Sequence, residues 1–300
     1  MVTFWPHPRT VLQQDARDFR ILTTLDEKKR MLSAMGVDRV EVIPFTRQFA
    51  ALTASEYLQM LHDNYGASLI VMGYDNRIGS DKVSASEICR YQTVDFVDPS
   101  HLRWAPPSYA AEGGHRFGND ISPKLQIIVT EPLSVDNAPD LSSFPAPTGN
   151  LTISSTMIRR ALSEGDVEKA NAMLGYEYEL TGAVVAGNRL GRTIGYPTAN
   201  MQLYEPLKLV PGNGVYCVEV EVLGARYVGM CNIGVRPTVN GASRTIETHI
   251  LNFDQDIYGL PLTLRFLRRI RDERKFASLD ALREQLAKDR EACTAFACNR

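Results

Sequence analysis

Leu180-Thr-Gly-Ala-Val-Val-Ala186 runs directly into Gly187-Asn-Arg-Leu-Gly-Arg-Thr-Ile-Gly-Tyr-Pro-Thr-Ala-Asn200, and the character of the chain changes here. The first part is an apolar, strand-like run. The second is a loop in which Gly187, Gly191 and Gly195 recur at every fourth residue, with Arg192 between them. Glycine lets backbone N–H groups approach an anion closely, and successive N–H groups can form a concave cradle for phosphate oxygens. Thr198 and Asn200 then offer a hydroxyl and an amide oxygen, hard ligands that suit Mg²⁺. Taken alone, the loop reads equally as a glycine-rich turn leading to a strand stopped by proline.

Downstream of this stretch the residues are β-like. Gly214–Leu223, Tyr227–Gly234, Thr245–Phe253 and Leu262–Ile270 are rich in Val, Ile, Thr and Tyr. Leu223-Gly-Ala-Arg226 is a tight turn between two of them. Five or six short strands separated by turns predict a small antiparallel barrel. Ser278 can cap a last helix from Leu279 to about Ala295, with Leu279, Leu282, Leu286 and Ala287 on one face. In Thr245-Ile-Glu-Thr-His-Ile-Leu251, alternation puts Glu247 and His249 on one face and Ile246 and Ile250 on the other. At a mouth of the barrel Glu247 would be a candidate general base; on a half-exposed strand it would be a solvent-facing acid. His249 reads as a structural neighbour, since no second histidine is near it in sequence.

Upstream, strand and helix signals alternate. Val2–Trp5 is strand-like and stops at Pro6-His7-Pro8. Thr24-Leu-Asp-Glu27 and Thr53-Ala-Ser-Glu56 are capping boxes opening helices to about Met35 and Tyr65. Val40–Pro44, Ala67–Met72 and Leu125–Val129 are apolar strands, so a parallel sheet covered by helices is expected. Ligands of such sheets bind beyond the carboxyl ends of the strands, where Pro6–Pro8 and Gly73–Gly79 fall. Residues 95–122 and 134–150 read as loops, the first an insertion or a lid. Ser155 or a neighbour can cap the helix running through Leu162. A hydroxyl-rich helix start (Ser154, Ser155, Thr156) with Arg159 one turn in suits a phosphate, though it is also an ordinary cap. The domain boundary is expected near residue 178, giving domains 1–175 and 176–300 joined by the helix Asp166–Leu174.

Composition bounds the function. Three hundred residues suit two domains. A net charge of −2 gives no sign of a nucleic-acid or membrane-surface protein. The local cluster Arg265, Arg268, Arg269, Arg271, Arg274 and Lys275 reads as a solvated strand end, with one or two members facing an anionic ligand. Five scattered cysteines without a CxxC pair suit reduced thiols in a cytoplasmic protein. No apolar run reaches membrane-spanning length. Oligomeric state has no signature here.

The ordered set Ile153-Ser-Ser-Thr-Met-Ile-Arg159, Gly182–Gly187, Gly191–Asn200, Gly214-Val-Tyr216, Asn232-Ile-Gly-Val-Arg-Pro-Thr238, Ile246-Glu-Thr-His249, Tyr258-Gly259 and Arg271–Phe276 resembles the prokaryotic bifunctional riboflavin kinase/FMN adenylyltransferase (FAD synthetase) family. The resemblance implies a kinase barrel in which Gly187, Gly191, Arg192 and Gly195 cradle the phosphates of ATP. It implies Thr198 and Asn200 as ligands of Mg²⁺ and ATP phosphates, and Glu247 as the base taking the proton of the riboflavin 5′-hydroxyl to yield FMN. Arg271 is implied near the flavin or the transferred phosphate. Thr3–Pro8, Leu22–Thr24 with Glu27-Lys28, and Gly73–Gly79 resemble the family's Rossmann-like nucleotidyltransferase module, with His7, Asp75, Ser154, Ser155, Thr156 and Arg159 as its remnants. The family begins with a strand and a histidine-bearing Gly-x-Phe-Asp-Gly-x-His-x-Gly-His loop that this sequence lacks. Asn76 and Ile78 replace its usual aromatic residues, and 95–122 is longer than its usual connection. The expectation is therefore an N-terminally truncated first module without its first strand and helix, and riboflavin phosphorylation with uncertain adenylylation. A fully bifunctional enzyme with an upstream start, and a non-catalytic flavin- or nucleotide-binding regulator, are the alternatives.

Overall fold

The computed structural model describes residues 1–13, 19–73, 76–84, 87–88, 126–130, 153–187, 190–238 and 241–298. Asp75 and the loops 95–122 and 134–150 lie outside them. The chain forms two compact units, residues 1–19 with 29–133, and residues 20–28 with 134–300.

In the first unit, β1 (Val2–Trp5) pairs in parallel with β2 (Glu41–Pro44). After β3 (Leu69–Gly73) come two short strands, β4 (Arg77–Ile78) and β5 (Val83–Ser84), which form an antiparallel hairpin. β6 (Gln126–Thr130) then returns parallel to β3. Among the described residues the expected parallel sheet is thus present as two separate pairs. The helix Ala54–Tyr65 begins where the capping box predicts. Thr53 Oγ1 accepts from the Glu56 N–H at 3.3 Å, and Glu56 Oε2 accepts from the Thr53 N–H at 2.7 Å. It ends at Gly66, whose φ of 65° takes the left-handed turn that stops the helix. Leu58, on its buried face, packs with Met72 and Ile88.

The second unit holds six further strands: β7 (Glu179–Val185), β8 (Ala199–Leu203), β9 (Gly214–Val222), β10 (Ala225–Thr238), β11 (Gly241–Ile250) and β12 (Pro261–Arg271). They close into a barrel in the order β10-β11-β8-β7-β12-β9, every pairing antiparallel. β8 is a short alternating run, Ala199-Asn-Met-Gln-Leu203, that buries Ala199 and Met201, and it follows so closely on the glycine-rich loop that the sequence reading absorbs it into that loop. The other five strands stand apart in the sequence. Alternation gives most strands two jobs. Inward residues such as Val218, Val220, Ile233, Ile246, Leu264 and Phe266 fill the barrel. Outward residues Cys217, Met230 and Leu267 meet Leu286, Cys293 and Phe296 of the C-terminal helix Leu279–Cys298. Helices Ser155–Glu164 and Val167–Leu174 send Ile158, Leu162 and Ala170 into the barrel core. The compact units and the expected module boundary at 175/176 are therefore different divisions of the chain. No helix among the described residues is long and apolar enough to cross a membrane.

Residues 20–28 belong to the barrel unit through a buried ion pair. Lys208 Nζ lies 2.5 Å from Glu27 Oε2, both side chains 3 % exposed. The same ammonium donates to the Leu22 carbonyl at 2.7 Å and sits 4.4 Å from the centre of the Tyr178 ring. Glu27 Oε2 also accepts from the Thr24 N–H, completing the predicted capping box. Backbone bonds from the Ile21 N–H to the Leu207 carbonyl and from the Leu209 N–H to the Ile21 carbonyl flank the pair. Removing one member of such a pair strands a desolvated charge. Lys208→Met should therefore cost about 3–5 kcal/mol in urea unfolding, and Glu27→Leu with Lys208→Met should recover most of it. A single-variant loss below about 1 kcal/mol would contradict the buried-pair account.

Candidate active site

The pairing that closes the barrel also assembles the site. Glu247 on β11 stands opposite Asn200 on β8 and opposite Asn232 on β10. Residues directly opposite in an antiparallel pair project to the same face, so an acid is flanked by two carboxamides across three strands. Ile246, Thr248 and Ile250 are buried on the other face of β11, whereas Glu247 and His249 are half-buried. The row thus lies on the outer wall of the barrel, on the half-exposed face that is one of the two readings of Glu247.

A cavity of about 250 Å³ opens above this row. Thr198, Asn200, Asn232, Glu247 and His249 form its polar wall. Val215, Met230, Leu282 and Leu286 form its apolar wall, the two leucines coming from the C-terminal helix. Arg271, Glu273, Arg274 and Phe276 close a third side. Four residues singled out from sequence, Thr198, Asn200, Glu247 and Arg271, therefore line one cavity, and so does Gly191. Gly187, Arg192 and Gly195 are not part of its wall.

The glycines of the loop have separate reasons to be there. A Cβ on Gly187 would stand 2.1 Å from Asn200 Nδ2, so only glycine leaves Asn200 its place. A Cβ on Gly191 would stand 2.1 Å from the Tyr196 carbonyl oxygen, which accepts no such intruder in the tight turn of Leu190–Thr193. Arg192 is exposed on that turn.

His249 is held firmly. Its Nδ1 lies 2.8 Å from the Pro197 carbonyl oxygen, and its ring meets Tyr196 edge-on at 5.1 Å. Burial, and after it the charge of Arg290, push its pKa below the usual 6.5, while the bond to Pro197 opposes them. The neutral imidazole is thus the form that fits.

Arg271 lines the cavity and is held from two sides. Its Nε and Nη2 reach Asp289 at 3.0 and 2.8 Å, and its Nη1 donates to the Asp272 carbonyl at 2.9 Å. The Asp289 side chain is 1 % exposed and accepts a further bond from Gln285 at 2.7 Å. Arg274 bonds Gln285 and stacks at 4.9 Å on Phe276, which Arg271 also approaches at 5.6 Å. Arg265 is likewise paired, with Glu219 at 2.9 Å and Glu221 at 2.7 Å, and Arg269 donates to the Glu164 and Asn213 carbonyls. Of the strand end read as solvated, Arg265, Arg269 and Arg271 are engaged, whereas Arg268, Arg274 and Lys275 are exposed. Asn232 could have been found from its alternation with Ile233 on β10. Asp289 carries no local signal, because its partner is 18 residues away.

The residues expected for a second reaction lie elsewhere. His7 caps the short helix Pro8–Leu12, its Nδ1 accepting from the Arg9 N–H at 3.2 Å. Ser154 caps the helix Ser155–Glu164, with Ser155 and Thr156 exposed beside it. Arg159 Nε donates to the Arg20 carbonyl at 3.1 Å. His7 belongs to the first compact unit, and Ser154–Arg159 to the second. Asp75 lies outside the described residues.

Residues 174–297 match the riboflavin kinase family and residues 1–97 match the FAD synthetase family. The chain is 34% identical over 291 residues to the bifunctional riboflavin kinase/FMN adenylyltransferase of Escherichia coli K12, covering 96% of this chain and 79% of that protein. It is 30% identical to the protein of the same name from Bacillus subtilis strain 168, over 100% of this chain and 82% of the relative. A crystal structure described as a macrolide-efflux protein from Streptococcus pneumoniae superposes with a TM-score of 0.77 at 33% identity, over 98% of this chain and 82% of that one. These matches lend no support to the expectation of a truncated first module. The chain belongs to the bifunctional riboflavin kinase/FMN adenylyltransferase family.

Proposed function

We propose that the barrel unit transfers the terminal phosphate of ATP to the 5′-hydroxyl of riboflavin, and that the chain also adenylylates the FMN so formed. The observation that carries the first half is the convergence of Thr198, Asn200 and Glu247 on one cavity. Phosphoryl transfer asks a protein mainly for positioning and charge neutralisation. Thr198 and Asn200 present a hydroxyl and an amide oxygen to the same space, a donor set suited to Mg²⁺ together with phosphate oxygens. Among the described residues no cluster of His, Cys, Asp and Glu could hold a metal by itself, so the cation would arrive with the nucleotide. The space that Gly187 leaves open is filled by the Asn200 carboxamide, which fits a ligand role for that residue. Bound there, Mg²⁺ would supply charge neutralisation on the phosphates.

Glu247 orients the attacking hydroxyl and takes its proton. Asn200 and Asn232 flank Glu247 and hold the row in line. The apolar wall of Val215, Met230, Leu282 and Leu286 excludes water and suits a flavin ring, and Phe276 adds an aromatic surface. Arg271 contributes by holding the C-terminal helix against this wall through Asp289.

The second activity is supported by the match of residues 1–97 to the FAD synthetase family and by the names of the relatives. This favours the fully bifunctional reading over phosphorylation alone.

Incubating the purified chain with riboflavin, ATP and Mg²⁺ should give both FMN and FAD by chromatography. FMN without FAD would remove the second activity, and neither product would remove the proposal. Glu247→Gln should lower kcat at least about 100-fold while riboflavin affinity stays within about twofold. Gly187→Ala should raise the Mg²⁺ concentration for half-maximal rate about tenfold, the equivalent of about 1.4 kcal/mol, by displacing Asn200; an unchanged Mg²⁺ requirement would contradict the role of Asn200.

A further inference from the structure

We propose that His249 is a positioning residue for the nucleotide side of this site: its Nδ1–H grips the Pro197 carbonyl and so sets the place of the Thr198 hydroxyl. The inference rests on the kinase reading of the cavity and adds a residue to it.

The register of β8 and β11 shows why a side chain is needed. Glu247 pairs with Asn200 and Thr248 with Ala199, and there the ladder stops. The next opposed positions are Thr198 and His249. No backbone pair forms between them; instead the His249 ring reaches Pro197 at 2.8 Å and Tyr196 at 5.1 Å. The imidazole takes over where the ladder ends.

The geometry of the peptide then transmits the constraint. Pro197 has no N–H, so its carbonyl is its one backbone hydrogen-bonding group. That carbonyl shares a plane with the Thr198 nitrogen and Cα. Fixing the oxygen fixes the plane, and with it the direction in which Thr198 leaves the loop. The other end of the link is rigid, because His249 lies two residues beyond Glu247 on the same face of β11 and opposite Met230 on β10. One strand therefore carries both the acid and the anchor of the residue expected at the metal.

The chemistry of the bond assigns the tautomer. A carbonyl oxygen can only accept, so Nδ1 carries the proton. Burial keeps the imidazole neutral near pH 7 and leaves it a single N–H, which this bond consumes. Nε2 is then bare, so His249 does not act as a proton donor to substrate.

The test combines binding and spectroscopy. Calorimetric titration with Mg·ATP should show His249→Ala binding about tenfold more weakly, with riboflavin affinity unchanged. His249→Asn places an amide N–H where Nδ1 stood and should remain within about threefold of the parent protein. His249→Gln places its N–H at the Nε2 position and should not recover binding. In steady state, His249→Ala should raise KM for ATP about tenfold at nearly constant kcat. In the unsubstituted protein, without any ligand, ¹⁵N spectra should show protonated Nδ1 and bare Nε2, with a titration midpoint below 6.5. An Nε2–H tautomer, equal weakening of His249→Asn and His249→Ala, or a loss confined to riboflavin would each overturn the proposal. Should His249→Ala fail to fold, the Asn and Gln pair and the spectrum decide. A parent protein that binds Mg·ATP but phosphorylates no riboflavin would remove the kinase reading alone, and one that binds no Mg·ATP would remove both.

Discussion

The second unit depends on one short seam. β8 joins β11 through two residue pairs and β7 through four, and with those contacts the six-stranded barrel closes. One of the two β8–β11 pairs is Asn200 with Glu247. The contact that shuts the barrel is thus the contact that brings the carboxamide of Asn200 beside the acid Glu247. Closure removes the sheet edges, and in the same act it places two functional groups about 5 Å apart at the level of their Cβ atoms, the spacing of any antiparallel pair. Few bonds hold the seam, so its surroundings must hold it: Gly187 makes room for Asn200, and His249 grips Pro197 just before the strand begins.

A second, long-range constraint shapes the cavity. The outer wall of the barrel is apolar at Met230 and Leu267, and the C-terminal helix covers it with Leu286, Cys293 and Phe296. Arg271 and Asp289 join the end of β12 to the middle of that helix. A charge-assisted, two-pronged bond of this kind is geometrically demanding, which suits a part whose task is to set the height of a roof. The cluster of arginines thus serves mainly to fix β12 to what surrounds it.

Much of this was legible in the sequence, and the limits have physical causes. Alternation in Thr245–Leu251 correctly separates Glu247 and His249 from Ile246 and Ile250, because a barrel strand must bury one face. Both capping boxes read from Thr24 and Thr53 form as expected, since their bonds are local. β8 escaped notice because the alternating run Ala199–Leu203 is only five residues long and begins two residues after Pro197, inside what reads as the phosphate loop. Whether Glu247 faced a barrel mouth or an outer wall depended on where the last helix packs, which no local pattern encodes. The same holds for Asp289 and for the Glu27–Lys208 pair, whose members are 181 residues apart. The motifs thus named residues that the tertiary fold brings to one cavity, while the fold alone decided how each of them is held.

The central claim is that Asn200 and Glu247 act as one unit because the seam makes them neighbours. A double-mutant cycle on riboflavin phosphorylation, with Asn200→Ala, Glu247→Gln and the combined variant, tests it most directly. Groups that work together are strongly non-additive. The account predicts that the combined variant is little worse than Glu247→Gln alone, a coupling of at least about 1 kcal/mol in kcat/KM. Losses that simply multiply, with a coupling indistinguishable from zero, would contradict it.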